Sequence, residues 1–264
     1  MQGRIAASRG GKYTGACPDD GRGCQPKIEN MKYALKLMAA APGVTPPISR
    51  RQNDKRLVKS MAQVLAIIAN PRKNSHTARL LQSFLTAYRK RNPADTIVEL
   101  DLYKTEIPVI DAAVLEAWDK PAEQQTAAEK RLLAKVDRFT GQFIAADKVI
   151  IAAPMWNLQF PPMLPAYIAT IAVAGKTFSY GDAGWKGLVP DKPVLLIHVR
   201  GGCFSSGPAQ AFDHAVPYLK SLLAMLGISD LRTIICEGIE AAPDKAQDIF
   251  AQALLATEQS AAAF

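Results

Sequence analysis

The chain has 264 residues, 48% of them hydrophobic and 21% charged, enough for one domain with a sizeable core plus an appendage. Its formal charge of +8 invites a nucleic-acid or membrane-surface role, yet the excess is local: residues 1–60 carry 12 Lys and Arg against 4 Asp and Glu, and residues 61–264 carry 20 against 20. The larger part of the chain is neutral, so a general positive field there is excluded as a route to nucleic acid or membrane.

Residues 1–60 are rich in Gly, Pro, Arg and Lys and lack a sustained apolar period, so they read as a disordered basic extension. Within them, IENMKYALKLMAAA sets Met31, Leu35 and Met38 on one face of about three helical turns. That stretch is too short and too charged to span a bilayer, and no uninterrupted apolar run makes it a secretory signal. An organelle transit peptide suits the Arg excess, while Asp19, Asp20 and Glu29 argue against it; the other reading is that translation starts at Met61, or that the extension is a tail. Cys17 and Cys24 are separated by six residues, and Cys203 and Cys236 stand alone, which gives no metal frame and suits a reduced, cytoplasmic protein.

From Met61 the character changes. VLAIIAN at 64–70 is the near-continuous apolar run of a strand covered on both faces. Ala78, Leu81, Leu85 and Tyr88 then repeat at helical spacing over 75–91, with Ser75 or Thr77 as cap and Asn92-Pro93 as stop. TIVELDL at 96–102 gives a second strand, 126–146 a helix on Leu132, Leu133, Val136, Phe139 and Phe143, and KVIIAAP at 148–154 a third strand. The expected remainder is a Pro-led helix at 161–175, a strand at 192–200, a helix at 209–226, a strand at 231–236 and a helix from Asp244 to about Ala256. Such alternation predicts an α/β fold, a doubly wound five-stranded parallel sheet in the flavodoxin-like order 2-1-3-4-5 with helices on both faces. Ligands of such folds bind beyond the carboxyl ends of the strands.

Three loops fall at those ends. After strand one, Asn70-Pro71-Arg72-Lys73-Asn74-Ser75-His76-Thr77 leads into a helix N-terminus and offers N–H groups and hydroxyls suited to a phosphate, or simply to a capped turn. It contains neither GxGxxG nor GxxxxGK[ST], so a monophosphate fits better than a dinucleotide or nucleoside triphosphate. After strand three, Pro154-Met155-Trp156-Asn157-Leu158 brings a thioether, an indole and an amide that suit a flat heteroaromatic ring, unless Trp156 is core. After strand four, Val199-Arg200-Gly201-Gly202 allows close backbone approach to a ligand, as would any GG turn.

PMWN at 154–157, RGG at 200–202 followed by Gly207-Pro208, the Ser75-x-Thr77 cap and FSYGDAGWKGL at 178–188 together resemble the FMN-dependent NADH azoreductases and quinone reductases of bacteria. The resemblance runs from about Val64 to the C-terminus. It implies that Asn70, Ser75, His76 and Thr77 hold the ribityl phosphate of FMN. Met155, Trp156, Asn157 and Leu158 would pack on its ring, and Val199, Arg200, Gly201 and Gly202 would contact its pyrimidine end. Leu158 stands where the family has Phe and Val199 where it has Ser, which leaves backbone groups rather than those side chains; the first loop is also shorter than in some relatives. The resemblance further implies one FMN per subunit, NADH as electron donor, quinones and azo compounds as acceptors, ping-pong kinetics and a homodimer whose second subunit closes the site. Phe178, Tyr180 or Trp185 would then wall the substrate, or else pack a hairpin.

No catalytic side chain and no metal ligand is expected, because the cofactor carries the redox chemistry. Arg200 suits the neutralisation of charge near the flavin or an exposed ion pair, and His198 reads as a satisfied core histidine. Two rival readings are an electron carrier that binds FMN without NADH turnover, which the neutral body disfavours, and a flavin-free binder acting through the basic extension.

Overall fold

The computed structural model describes residues 61–182 and 184–264. The helix expected around residues 28–41, and Cys17 and Cys24, lie outside the described residues.

Five parallel strands form the sheet: β1 (Gln63–Ile68), β2 (Thr96–Asp101), β3 (Lys148–Pro154), β6 (Val194–Val199) and β7 (Leu231–Cys236). Their spatial order is β2-β1-β3-β6-β7, which is 2-1-3-4-5 when only the sheet strands are counted. The missing numbers belong to a hairpin, β4 (Phe178–Gly181) with β5 (Gly184–Gly187).

Alternation explains the apolar runs. Val64, Ala66, Ile150, Ala152, Leu195 and Ile197 face helices α1 (His76–Arg91) and α6 (Ala246–Ala263), and form one core with Leu81, Phe84 and Phe250. Leu65, Ile67, Val149, Ile151, Val194 and Leu196 face the other way, toward α3 (Ala127–Ala145), α4 (Met163–Ile171) and α5 (Val216–Leu226), with Phe139, Phe143 and Tyr167. Each Val, Leu, Ile or Phe side chain among them, fully buried, contributes about 1.5–3 kcal/mol. Both faces are covered, so the central strands carry no polar alternation.

Local chemistry sets the helix ends. Ser75 caps α1 by accepting from the Ala78 N–H at 3.1 Å, and Arg89, Lys90 and Arg91 complement the dipole in its last turn. Thr126 and Glu129 form a reciprocal capping box at the start of α3. The buried Lys192 ammonium donates to the Phe143, Ile144 and Ala146 carbonyls at the other end of α3.

Several expected boundaries shift. The helix expected at 161–175 stops at Ile171, because the buried Thr177 hydroxyl donates to the Ile171 carbonyl at 2.7 Å and accepts the Val173 N–H. The helix expected at 209–226 is split into a 3-10 turn at Pro208–Phe212 and α5, since the Asp213 carboxylate caps α5 through the Ala215 and Val216 N–H groups just before Pro217. The closing helix begins after a 3-10 turn at Pro243–Lys245 and runs on to Ala263. The chain also forms α2 (Ala112–Trp118), capped by Asp111, where no helix was expected.

Candidate active-site cleft at the carboxyl edge of the sheet

A cleft of about 600 Å³ opens at the carboxyl ends of β1, β3 and β6. Eight of the twelve expected site residues line it: Asn70, Ser75, His76, Thr77, Met155, Trp156, Val199 and Gly201. Four do not. Asn157 is exposed at the tip of a turn, Leu158 sits behind it, the Arg200 side chain points into the protein, and Gly202 lies under the Phe204 ring.

One end of the cleft is built for an anion. The Asn70 amide donates to the Ser75 hydroxyl at 2.7 Å while its carbonyl oxygen accepts the Arg72 N–H, which folds the loop onto the helix start. The first turn of a helix leaves N–H groups without intrahelical partners, and Ser75 satisfies only that of Ala78. The N–H groups of His76 and Thr77 therefore remain for a ligand. No acidic residue occupies this first turn, and Arg72 lines the cleft beside it. The His76 ring packs on Phe250, with a centroid separation of 4.7 Å, so its side chain also anchors the loop to α6.

The second wall is a strained turn. Trp156 and Gln159 exchange two backbone hydrogen bonds, and Asn157 and Leu158 between them have φ of 46° and 67°. Two residues with positive φ closing such a bridge make a type I′ turn, which Asn tolerates well and Leu does not. The strain persists because the turn is held from outside: the His214 N–H donates to the Leu158 carbonyl at 3.1 Å, and the Gln159 amide donates to the His214 carbonyl at 2.9 Å. Tyr103, on the loop after β2, packs on Trp156 at 6.5 Å.

At the third wall Gly201 presents bare backbone. A Cβ there would lie 2.4 Å from a carboxylate oxygen of Glu240, a cleft-lining side chain that no sequence motif announced. Glu240 follows β7, whose carboxyl end borders the same edge of the sheet. The position of the fifth strand was therefore the one available signal.

Arg200 is neither exposed nor turned toward the cleft. At 1% side-chain exposure it donates to Asp213 at 2.7 Å and Glu237 at 3.2 Å. Two residues earlier on the same strand face, His198 is fully buried and its Nδ1 donates to the Ala153 carbonyl at 2.7 Å. Its Nε2 has no partner among the described residues, so the histidine is only half satisfied. Burial holds its pKa down at about 4, the Ala153 bond acting in the opposite direction. The unfolded chain binds this proton below about pH 6.5 and the folded one only below about 4, so folding stability is lost as pH falls through that window. The loss attributable to His198 approaches about 3 kcal/mol. Chemical denaturation of wild type and His198→Gln between pH 7 and 4 should show a flatter profile for the variant. Parallel profiles would mean that His198 is not kept neutral by the fold.

A second groove, of about 660 Å³, runs between α1 and α6 past Gln82, Ser83, Thr86, Lys90, Arg91 and Glu258. It contains none of the strand-end loops and lies on the solvent side of two packed helices.

Residues 62–261 match a family model described as the flavodoxin-like fold. Over 212 residues the chain is 39% identical to the "FMN-dependent NADH:quinone oxidoreductase 2" of Listeria monocytogenes serotype 4b (strain F2365), covering 77% of this chain and 100% of that protein. Its fold matches a crystal structure of an azoreductase from Bacillus anthracis str. Sterne with a TM-score of 0.73 at 36% identity, covering 77% of this chain and 100% of the other. A crystal structure of an FMN-dependent NADH-azoreductase from Bacillus anthracis str. Ames Ancestor, in complex with FMN, matches with a TM-score of 0.69 at 27% identity, over 76% and 100% of the two chains.

Proposed function

The chain belongs to the flavodoxin-like fold family, and from that premise we propose that it is an FMN-dependent oxidoreductase taking electrons from NADH and passing them to quinones and azo compounds. The observation that carries this reading is the convergence of three strand-end loops on one cleft, with an anion-binding helix N-terminus at one end and an aromatic wall beside a bare glycine. The nature of the donor and acceptors is supported by the names of the relatives at 36–39% identity.

The residues present fit FMN. The Ser75 to Thr77 helix start and Arg72 suit a terminal phosphate, and a cleft of about 600 Å³ lies within the usual range of roughly 300–1,000 Å³ for cofactor-sized ligands. Met155 and Trp156 offer soft, flat surface to a ring system, and Gly201, against which the Glu240 carboxylate rests, adds backbone to the lining. Bound FMN would supply two-electron transfer between the nicotinamide donor and the acceptor.

The protein's own contribution is binding, orientation and shielding. Trp156, packed on Tyr103, keeps water from one wall, and the Asn157–Leu158 turn fixes the height of that wall. With one cleft to serve both, donor and acceptor bind in turn, which gives ping-pong kinetics. The reading carries with it a cytoplasmic homodimer; Tyr180, Trp185 and Phe212, exposed by 47%, 65% and 54%, supply apolar surface for a second copy to cover.

Full-length protein incubated with FMN and desalted should keep a flavin spectrum. It should then oxidise NADH when menadione or methyl red is supplied, with parallel lines in double-reciprocal plots. A colourless product rejects the cofactor, a flavin spectrum without NADH consumption rejects the enzyme, and intersecting lines reject the shared cleft.

A further inference from the structure

Resting on that reading, we infer that Arg200 is a positioning residue whose buried guanidinium ties the β3, β6 and β7 loops into the one arrangement that receives the FMN ring.

Each of its two partners does a second job. Glu237, immediately after β7, accepts from the N–H groups of Phe204 and Ser205 at 2.9 and 3.1 Å through the same oxygen that meets Arg200. It therefore pins the far side of the Gly201-Gly202 loop. Asp213 gives one oxygen to Arg200 and the other to the Ala215 and Val216 N–H groups, fixing the bend that carries His214. His214 is the residue whose backbone holds the strained Asn157–Leu158 turn. One side chain thus reaches the Asn157–Leu158 turn, which follows the cleft-lining Trp156, through Asp213 and the glycine loop through Glu237. The loops after β6 and β7 are joined again by backbone bonds from Gly238 to the Gly202 carbonyl and from Glu240 to that of Gly201.

Stability alone does not account for this node. Burying a cation between carboxylates costs desolvation that their attraction only roughly repays, and apolar replacements of such groups are often as stable. A node of this kind makes sense when it specifies geometry, and the geometry specified here is that of the loops after β3, β6 and β7. A planar fork reaches two carboxylates at once, which a lysine ammonium does not reproduce.

Glu237→Gln and Asp213→Asn keep size and most hydrogen-bonding capacity while removing the charge that orients Arg200. In full-length apo protein, Glu237→Gln should speed amide exchange at Phe204 and Ser205, and Asp213→Asn at His214 and Gln159, by about tenfold each, as expected when a charge-assisted bond is weakened. Fluorescence titration at a temperature where circular dichroism shows every variant folded should find the FMN Kd raised at least ~10-fold in both, and in Arg200→Lys. A purely structural role would lower melting temperatures and leave Kd unchanged in folded protein; that result overturns the inference and leaves the cofactor assignment standing. Wild-type protein that fails to bind FMN overturns the assignment itself, and exchange rates unchanged in both carboxylate variants remove the node independently of any flavin.

Discussion

Replacing Gly187 by alanine should cost the fold about 3 kcal/mol or more, although its φ lies outside the left-handed region and the side chain added is a single methyl. Gly187 ends β5, where the hairpin lies against the C-terminus of α5. An added Cβ would sit 2.2 Å from the nitrogen and 2.3 Å from the Cα of Gly227, both backbone atoms with no rotamer to give way. Gly227 is itself fixed, at φ 100°, as the left-handed residue that ends α5. The neighbouring bond from the Val189 N–H to the Leu226 carbonyl, at 3.1 Å, holds the two backbones at this separation. The methyl therefore has to unseat the hairpin from the helix. For a body of about 200 residues such a loss lowers Tm by roughly 6–12 °C. A melting temperature within ~2 °C of wild type would show that the hairpin is not docked on α5. The last glycine of FSYGDAGWKGL thus acquires a steric reason, and the hairpin that presents Tyr180 and Trp185 acquires its anchor.

The parts of this protein that were legible in its sequence are those governed by one-dimensional signals. Apolar runs such as VLAIIAN and KVIIAAP need both faces covered, and with helices alternating between them that requirement implies a parallel sheet flanked by helices. Ser75 was readable as a cap because capping is decided within three residues. The Asp213 break was also written locally, as a capping residue followed by Pro217. Helix α2 left no period to read, being only seven residues long.

Side-chain direction in the loops was not legible. Arg200 stands in the glycine loop next to residues that line the cleft, and nothing in the order of letters says that it turns inward to Asp213 and Glu237. That depends on where β7 and the bend before α5 come to rest, which is decided by packing across the sheet. Glu240 was invisible for the same reason: its place in the cleft follows from the position of β7 at the sheet edge rather than from any motif around it. The resemblance had assigned all twelve residues as contacts, and the structure brings eight of them to one cleft and turns the side chain of a ninth, Arg200, into the protein.

Changing Ser75 to aspartate should separate folding from cofactor binding by moving them in opposite directions. As a helix cap aspartate is as good as serine, it still accepts from the Ala78 N–H and from the Asn70 amide, and its charge is favourable at a helix N-terminus. Thermal stability should therefore hold or rise slightly. The same carboxylate places a negative charge where the reading above seats a phosphate, and it competes for the N–H groups left unpaired at His76 and Thr77. Two like unit charges about 4 Å apart repel by about 4 kcal/mol at an effective dielectric constant of 20. Arg72 and solvent reduce that, so FMN Kd should rise by roughly 10²–10³-fold. Ser75→Ala is the complementary variant: losing the cap costs about 1 kcal/mol of stability, while the absence of new charge confines the rise in Kd to under ~10-fold. Fluorescence titration with FMN and a melting curve on each variant decide the matter. If Ser75→Asp binds FMN as tightly as wild type, the phosphate does not sit at this helix, whatever the melting curves show, and the cleft would have to be read in the reverse orientation.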